Sequence, residues 1–293
     1  MAVTEPPAAV PDEDAQLAGL DALDTEVVAS RPAWRRAVSV GLPPLVAAFL
    51  VLAAWQLLYD ADIKPATTLP SPHEVFTSLR GLWDGGTLPS AIRNSLTRGG
   101  LGFLAALAIG TPLGLVLGRV RVVRAAIGPI VSGLQSLPSV AWVPVGIIWF
   151  GLNASTEYFV ILMGAVPSIA NGMVSGLDQV PPLYLRVGHV LGARGLTMAR
   201  HVLLPAAMPA YVGGLRQGWA FAWRSLMAAE LITISYHLTG LGALLNQGQE
   251  QNDIAWVLGV ILVILGVGIA VEMLVFRPLE RKVLRSRGLL AAR

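Results

Sequence analysis

Six apolar stretches constrain this chain more than any other feature of it. They run over about 41–59, 95–118, 126–149, 157–177, 207–233 and 254–276, each close to the roughly 20 residues an α-helix needs to cross a bilayer. Lipid admits only helices or closed barrels, and none of the six alternates with period two, so all are read as helices. Composition agrees: 54% of the 293 residues are hydrophobic and 13% charged, against about 25% charged in soluble domains. The expected fold class is an all-α polytopic membrane protein with six transmembrane helices.

Loop charge orients the spans. Arg31, Arg35 and Arg36 precede the first; Arg119, Arg121 and Arg124 join the second to the third; Arg186, Arg194 and Arg200 lie between the fourth and fifth; Arg277, Arg281, Lys282, Arg285, Arg287 and Arg293 follow the sixth. The opposite loops hold only Lys64 and Arg80. The positive-inside rule then places both termini, and the 183–209 loop, in the cytoplasm of a multi-pass membrane protein. Residues 1–30 carry seven acidic residues, no basic one and three prolines, and read as a disordered acidic cytoplasmic tail. The membrane domain covers 31–285, and 286–293 form a basic tail. Outside, Leu69-Pro70-Ser71-Pro72 begins a short helix over about 72–84. Val75, Phe76, Leu79 and Leu82 share one of its faces, which suits the membrane interface.

Several chemistries are excluded. There is no cysteine, hence no disulfide or thiolate site. Neither lysine, Lys64 nor Lys282, stands in a P-loop. The four histidines form no H-E-x-x-H pair, and no G-x-S-x-G elbow occurs. No metal or cofactor is expected, and the chain does not read as an enzyme. The basic balance belongs to membrane topology, with the lipid bilayer as partner and not a nucleic acid.

The segment 183–201 reads as an amphipathic helix. Leu185, Gly188, Val190, Leu191, Leu196, Met198 and Ala199 oppose Arg186, His189, Arg194, Arg200 and His201. Gly192 is expected to allow close backbone approach, Leu204-Pro205 to end the element, and Pro209 to kink the next span. The run Gly192, nine residues, Val202-Leu203-Leu204-Pro205 resembles the E-A-A-x3-G-x9-I-x-L-P loop of bacterial ABC importer permeases. Gln135–Pro144, Trp149–Leu152, Leu215–Arg224, Ala229-Glu230-Leu231 and Gly240-Leu241-Gly242 resemble signatures of the subfamily serving nitrate, taurine and aliphatic sulfonates. The similarity covers about residues 40–285.

That resemblance implies the type I ABC importer permease fold, with the loop as a cytoplasmic coupling helix docking on a separate ATPase. It puts Arg186, Gly188, Gly192, Ala193, Val202, Leu204 and Pro205 at the ATPase contact. The implied partners are two ATPase subunits, an extracytoplasmic solute-binding protein and a second copy of the permease. The implied work is import of a small solute by alternating access, an aliphatic sulfonate or related anion first, with nitrate, taurine or a thiamine-related pyrimidine as alternatives. The family's E-A-A positions are Arg186-Val187-Gly188 here. An arginine in place of the glutamate calls for a compensating acidic group on the ATPase.

Polar groups inside the spans mark a path or a pair. Arg216, Arg224 and Glu230 fit one broad stripe of the fifth span at 100° per residue. They read either as pore lining that passes an anion or as structural pairing. Gln135, Ser136 and Ser139, with Pro138 and Pro144, interrupt the third span and read as gating or as a packed kink. Glu157, Asn153 and Asn171 are expected to be caps or interfacial groups. Gly110, Gly114 and Gly118 make a close-packing face. An ion-driven secondary transporter is the more distant alternative, and no half-to-half repeat supports it.

Overall fold

A computed structural model of the chain describes residues 33–62, 65, 68–233 and 239–286. The acidic tail 1–30 and the residues past Ser286 lie outside them. The chain divides into two compact units, 1–57 and 58–293. The first contains most of α1 (Ala33–Asp60), whose apolar portion is Leu45–Asp60. The second is described on its own below. Every regular element among the described residues is helical.

α2 (Pro72–Asp84) begins where the sequence places it. Ser71 and Glu74 form a reciprocal capping box (Ser71 N to Glu74 Oε2 2.7 Å, Glu74 N to Ser71 Oγ 3.2 Å), with Pro72 in the first turn. This satisfies two of the donors that a helix start leaves without partners. Val75 and Leu82 are buried, but Phe76, expected on the same face, is exposed. α2 packs against α3 and α11, and its inward face is narrower than the spacing suggested.

The body of the unit is a three-helix stack. α6 (Ala154–Asp178) lies between α3 (Thr87–Arg119) and α9 (Leu204–Ile232). Glycines set the spacing. A methyl at Gly114 would fall 2.6 Å from both the Ala170 carbonyl oxygen and Met173 Cβ, and one at Gly118 2.5 Å from Leu177 Cδ1. On the other flank a methyl at Gly172 would lie 2.5 Å from Gly214 Cα. Close backbone approach replaces the hydrophobic drive that lipid cannot supply, because lipid tails are as apolar as leucine. The small-residue face expected on the second span is therefore the seam between α3 and α6. Ile161, Ile169 and Met173 of α6 and Leu226 of α9 pack against the glycines of α3 and are fully buried.

The third apolar stretch is not one helix. α4 (Arg121–Ser136) and the segment Ser139–Phe150 meet at 103°. Leu137, which precedes Pro138, is extended (φ −74°, ψ 132°), as expected for a residue before proline. A single 3-10 turn, Ser139–Trp142, then leads into α5 (Val143–Phe150), with Pro144 in its first turn. The expected prolines are thus a break and not a kink. Asn153 caps α6 by accepting from Ser155 N (2.8 Å). After α9 come α10 (Leu241–Glu250) and α11 (Ile254–Val271), which runs through a π turn, Glu272–Phe276, into α12 (Arg277–Ser286).

Three of these helical runs, Thr87–Arg119, Ala154–Asp178 and Ile254–Ser286, are long and apolar enough to cross a membrane unaided. The bent pair α4 and α5 adds a fourth if it is one span. The chain is a multi-pass membrane protein. α9 has the length, at 29 residues, but carries Arg216, Arg224 and Glu230.

Candidate functional site

Between α6 and α9 the chain leaves the stack and returns to it. Pro181-Pro182 starts α7 (Pro182–Val190), and Gly192 stops it. Gly192 has φ +80°. Its N–H donates to the His189 carbonyl (3.0 Å), and the Ala193 N–H donates to the Gly188 carbonyl (2.9 Å). This is the paired closure that favours glycine past a helix end. Gly195 follows at φ +51° and opens a single turn, α8 (Gly195–Met198). A π turn, Ala199–Leu203, then enters α9 without a break, the Leu204 N–H donating to the Ala199 carbonyl.

Three expectations are corrected here. The 183–201 segment is a helix, a turn and a second helix, because two left-handed glycines interrupt it. Gly192 has open space around it; the close-packing glycine is Gly188, where a methyl would lie 2.8 Å from Met198 Cε and 3.1 Å from Val202 Cγ2. Leu204-Pro205 begins α9 instead of ending the loop, since a first-turn proline lacks only an N–H that the turn leaves unused.

The result is a ledge with two faces. Ala193, Met198, Ala199 and Leu203 are buried, tying it to the core. Val190, Leu191 and Leu196 are 86%, 80% and 81% exposed. A groove of about 530 Å³ between α7 and the start of α9 is lined by Leu183, Tyr184, Val187, Leu191, His201 and Pro205. Arg186 and Arg194 are exposed, and Val202, Leu204 and Pro205 are half-buried. Nearby, Arg124 clamps the end of α6 through Asp178 (2.8 and 2.6 Å). That hydrogen bond, with the Coulomb attraction behind it, raises the Arg124 guanidinium above its ordinary value.

At the opposite end of α6 and α9 lies a buried ionic cluster. Arg98 Nη1 donates to Glu157 Oε1 and Oε2 (2.9 and 2.7 Å), and Arg98 Nη2 pairs with Glu230 Oε1 (2.9 Å). Their side chains are 7%, 2% and 1% exposed. Ser95 Oγ donates to Glu230 and accepts from Leu241 N (2.9 Å), and Gly242 N donates to Glu230 Oε2 (2.9 Å). Side chains at Gly240 or Gly242 would run into the Glu230 side chain. Arg98 of α3 therefore joins α6 to α9, and Ser95 and Glu230 tie in the start of α10. Glu157, expected near an interface, is sealed in this cluster.

The fifth-span stripe is likewise divided. Glu230 belongs to the cluster. Arg216 Nε pairs with Glu272 Oε1 (2.5 Å), and its Nη1 lies 3.8 Å from Glu280 Oε2. Arg224 is exposed; its Nε donates to the Ala220 carbonyl (3.1 Å) and its guanidinium lies 4.7 Å from the Phe221 ring centre. Gln135 accepts from Asn171 Nδ2 (2.7 Å), tying α4 to α6. Ser136 is exposed at the bend, bonded to the Gly133 carbonyl (2.7 Å), and Ser139 is half-buried. Sequence reasoning missed Arg98 and Ser95 as partners of Glu230, and Glu272 as partner of Arg216. The signal was there in part: a costly arginine in one apolar stretch implies a carboxylate at matching depth in another.

Residues 110–285 match the family model described as "Binding-protein-dependent transport system inner membrane component". The chain belongs to that family. It is an ABC importer permease subunit with the subfamily character that its third- and fifth-span signatures implied. It is 30% identical over 281 residues to the bicarbonate transport system permease protein CmpB of Synechococcus elongatus, covering 90% of this chain and 99% of that one. It is 29% identical to the taurine transport system permease protein TauC of Escherichia coli, covering 82% and 87%. Among solved structures it resembles the MetNI methionine ABC transporter in inward-facing conformations. The TM-score is 0.55 at 19% identity, covering 67% of this permease and 96% of that chain, which establishes the type I importer fold.

Proposed function

We propose that this permease spans the membrane six times with both termini in the cytoplasm, and that it imports a small anion. It does so as a homodimer driven by two ATPase subunits and fed by an extracytoplasmic binding protein. The six spans are α1, α3, the bent pair α4 and α5, α6, α9 and α11. One observation carries the reading. α7 and α8 expose a row of large apolar side chains, while their buried side is continuous with α9 through the Ala199–Leu203 turn. A partner that moves α7 therefore moves α9, and α9 packs along the whole of α6. The ATPase is the fitting partner: the loop charges put this ledge on the cytoplasmic side, and the chain has no P-loop of its own.

The substrate class follows from the relatives' names and one charge. Bicarbonate and the sulfonate taurine both carry an anionic head, and Arg224 offers a cation within a membrane-crossing helix. An aliphatic sulfonate is the leading candidate, with bicarbonate second. Reconstitution with the partner ATPase and binding protein tests the whole reading. Val190→Asp with Leu196→Asp should abolish co-purification of the ATPase while leaving the permease's thermal midpoint unchanged, because both side chains are exposed. Retention of the ATPase and of uptake by that double variant would defeat the coupling model. Labelled taurine and bicarbonate, offered to the wild-type complex, separate the two substrates.

A further inference from the structure

The three charged groups of α9 meet different fates, and among the described residues one of them is left without an acid. Glu230 and Arg216 have ion partners. Arg224 lies about 9 Å from the middle of the helix at 1.5 Å per residue. Among the described residues its hydrogen-bond and ring partners are on its own helix, the Ala220 carbonyl and the Phe221 ring. A charge at that depth is retained where it faces a water-filled cavity or a partner.

The surface around it is unlike the rest of the bundle. Gly213, Gln217, Ala220 and Arg224 are all exposed and follow one another at spacings of four, three and four residues, a single helix face. None of them is a large apolar residue. Across a cleft of about 800 Å³ stands α11, which contributes Ile261, Leu265 and Ile269 to its wall. The same cleft is lined by Trp223, which is 7% exposed and whose Nε1 has no hydrogen-bond partner. That indole N–H is buried, so the donor this face presents is the Arg224 guanidinium, and the Glu272 carboxylate on the same cleft is held by Arg216.

We propose that Arg224 is the anion-selecting residue of a water-filled passage along the Gly213–Arg224 face of α9. This rests on the permease reading and deepens it. Arg216 is neutralised by Glu272 and Glu280 and does not select. A carboxylate or sulfonate group entering the cleft replaces water around Arg224, whereas a cation is repelled there.

The natural absence of cysteine makes the test direct. Single substitutions Gly213→Cys, Gln217→Cys, Ala220→Cys and, as a control outside the cleft, Leu104→Cys on the apolar surface of α3 are made in the complex with its ATPase and binding protein. Each is treated in native membranes with an anionic methanethiosulfonate (sulfonatoethyl) and a cationic one (trimethylammonium-ethyl). The α9 positions should react and Leu104→Cys should not. At Ala220→Cys the anionic reagent should be the faster. Adding Arg224→Gln should lower the anionic-to-cationic rate ratio about tenfold, the low end of what a charged cleft does to an on-rate, and Arg224→Lys should restore it. The preference should also weaken at Gly213→Cys, about 16 Å along the helix and beyond the ~8 Å screening length, a comparison that holds even if Arg224→Gln does not assemble. No reaction at any α9 position, with or without nucleotide, overturns the passage itself. Reaction with a ratio indifferent to Arg224 leaves the passage standing and overturns the selection.

Discussion

Arg98→Met should destabilise this protein more than any other single change in the α3, α6 and α9 stack. Arg98 is the one cation in a cluster with two carboxylates, all three side chains at most 7% exposed. Removing it breaks two ion pairs together and leaves Glu157 and Glu230 facing each other. Breaking one buried pair costs about 3–5 kcal/mol. Two pairs sharing a partner are not additive, so about 5 kcal/mol or somewhat more is expected, a large share of the ~5–15 kcal/mol that holds a typical domain. At about 2–4 °C per kcal/mol for a chain of this size, the thermal midpoint in detergent should fall by about 10–20 °C. Glu230→Gln leaves the Arg98–Glu157 pair intact and should cost about half as much. The triple variant Arg98→Met, Glu157→Gln, Glu230→Gln should recover part of the loss, because no charge is then stranded. Fluorescence-detected size-exclusion after heating measures all three. A midpoint for Arg98→Met within 2 °C of wild type, or a larger fall for Glu230→Gln than for Arg98→Met, would refute the shared-guanidinium account.

Three further outcomes are expected. Gly114→Ala forces a methyl to 2.6 Å from the Ala170 carbonyl and should lose about 1–3 kcal/mol by overpacking; Gly100→Ala, with open space around it, should be neutral or gain up to about 1 kcal/mol in helix propensity, both read as midpoint shifts. Gly192→Val places a branched residue at φ +80°, a conformation costing an L-residue about 1–2 kcal/mol. It should reduce ATPase co-purification with little change in the stack's midpoint; unaltered co-purification would detach Gly192 from coupling. Glu272→Gln frees Arg216 from its nearer partner and should bring Arg216 into competition with Arg224 for anions, measured as a raised anionic reagent preference at Gly213→Cys.

The α2 start, the apolar stretches and the loop charge bias were legible because each rests on local chemistry: a capping box, a run of apolar residues, arginines between them. The spacing from Gly192 to Pro205 was legible as a pattern, and its roles were partly misassigned. Gly192 holds a left-handed turn and Gly188 holds the contact, a distinction that depends on what lies opposite each glycine. The break at Leu137-Pro138 was foreshadowed by proline, while its 103° depends on how α4 and α5 pack against α6.

The sequence alone determined that this chain crosses a membrane as helices and that its basic residues gather in alternate loops, since hydropathy and charge are properties of residues taken singly or in short runs. Only the tertiary structure decided which charges stand free. Glu230, Arg216 and Arg224 share one helix within 15 residues. Each one's meaning is set by its partners: Arg98 from α3, Glu272 just past α11, and for Arg224 no acid among the described residues. Electrostatics in a low dielectric is decided by distances of a few ångströms between segments far apart in the chain, and helical periodicity within one segment does not specify those distances.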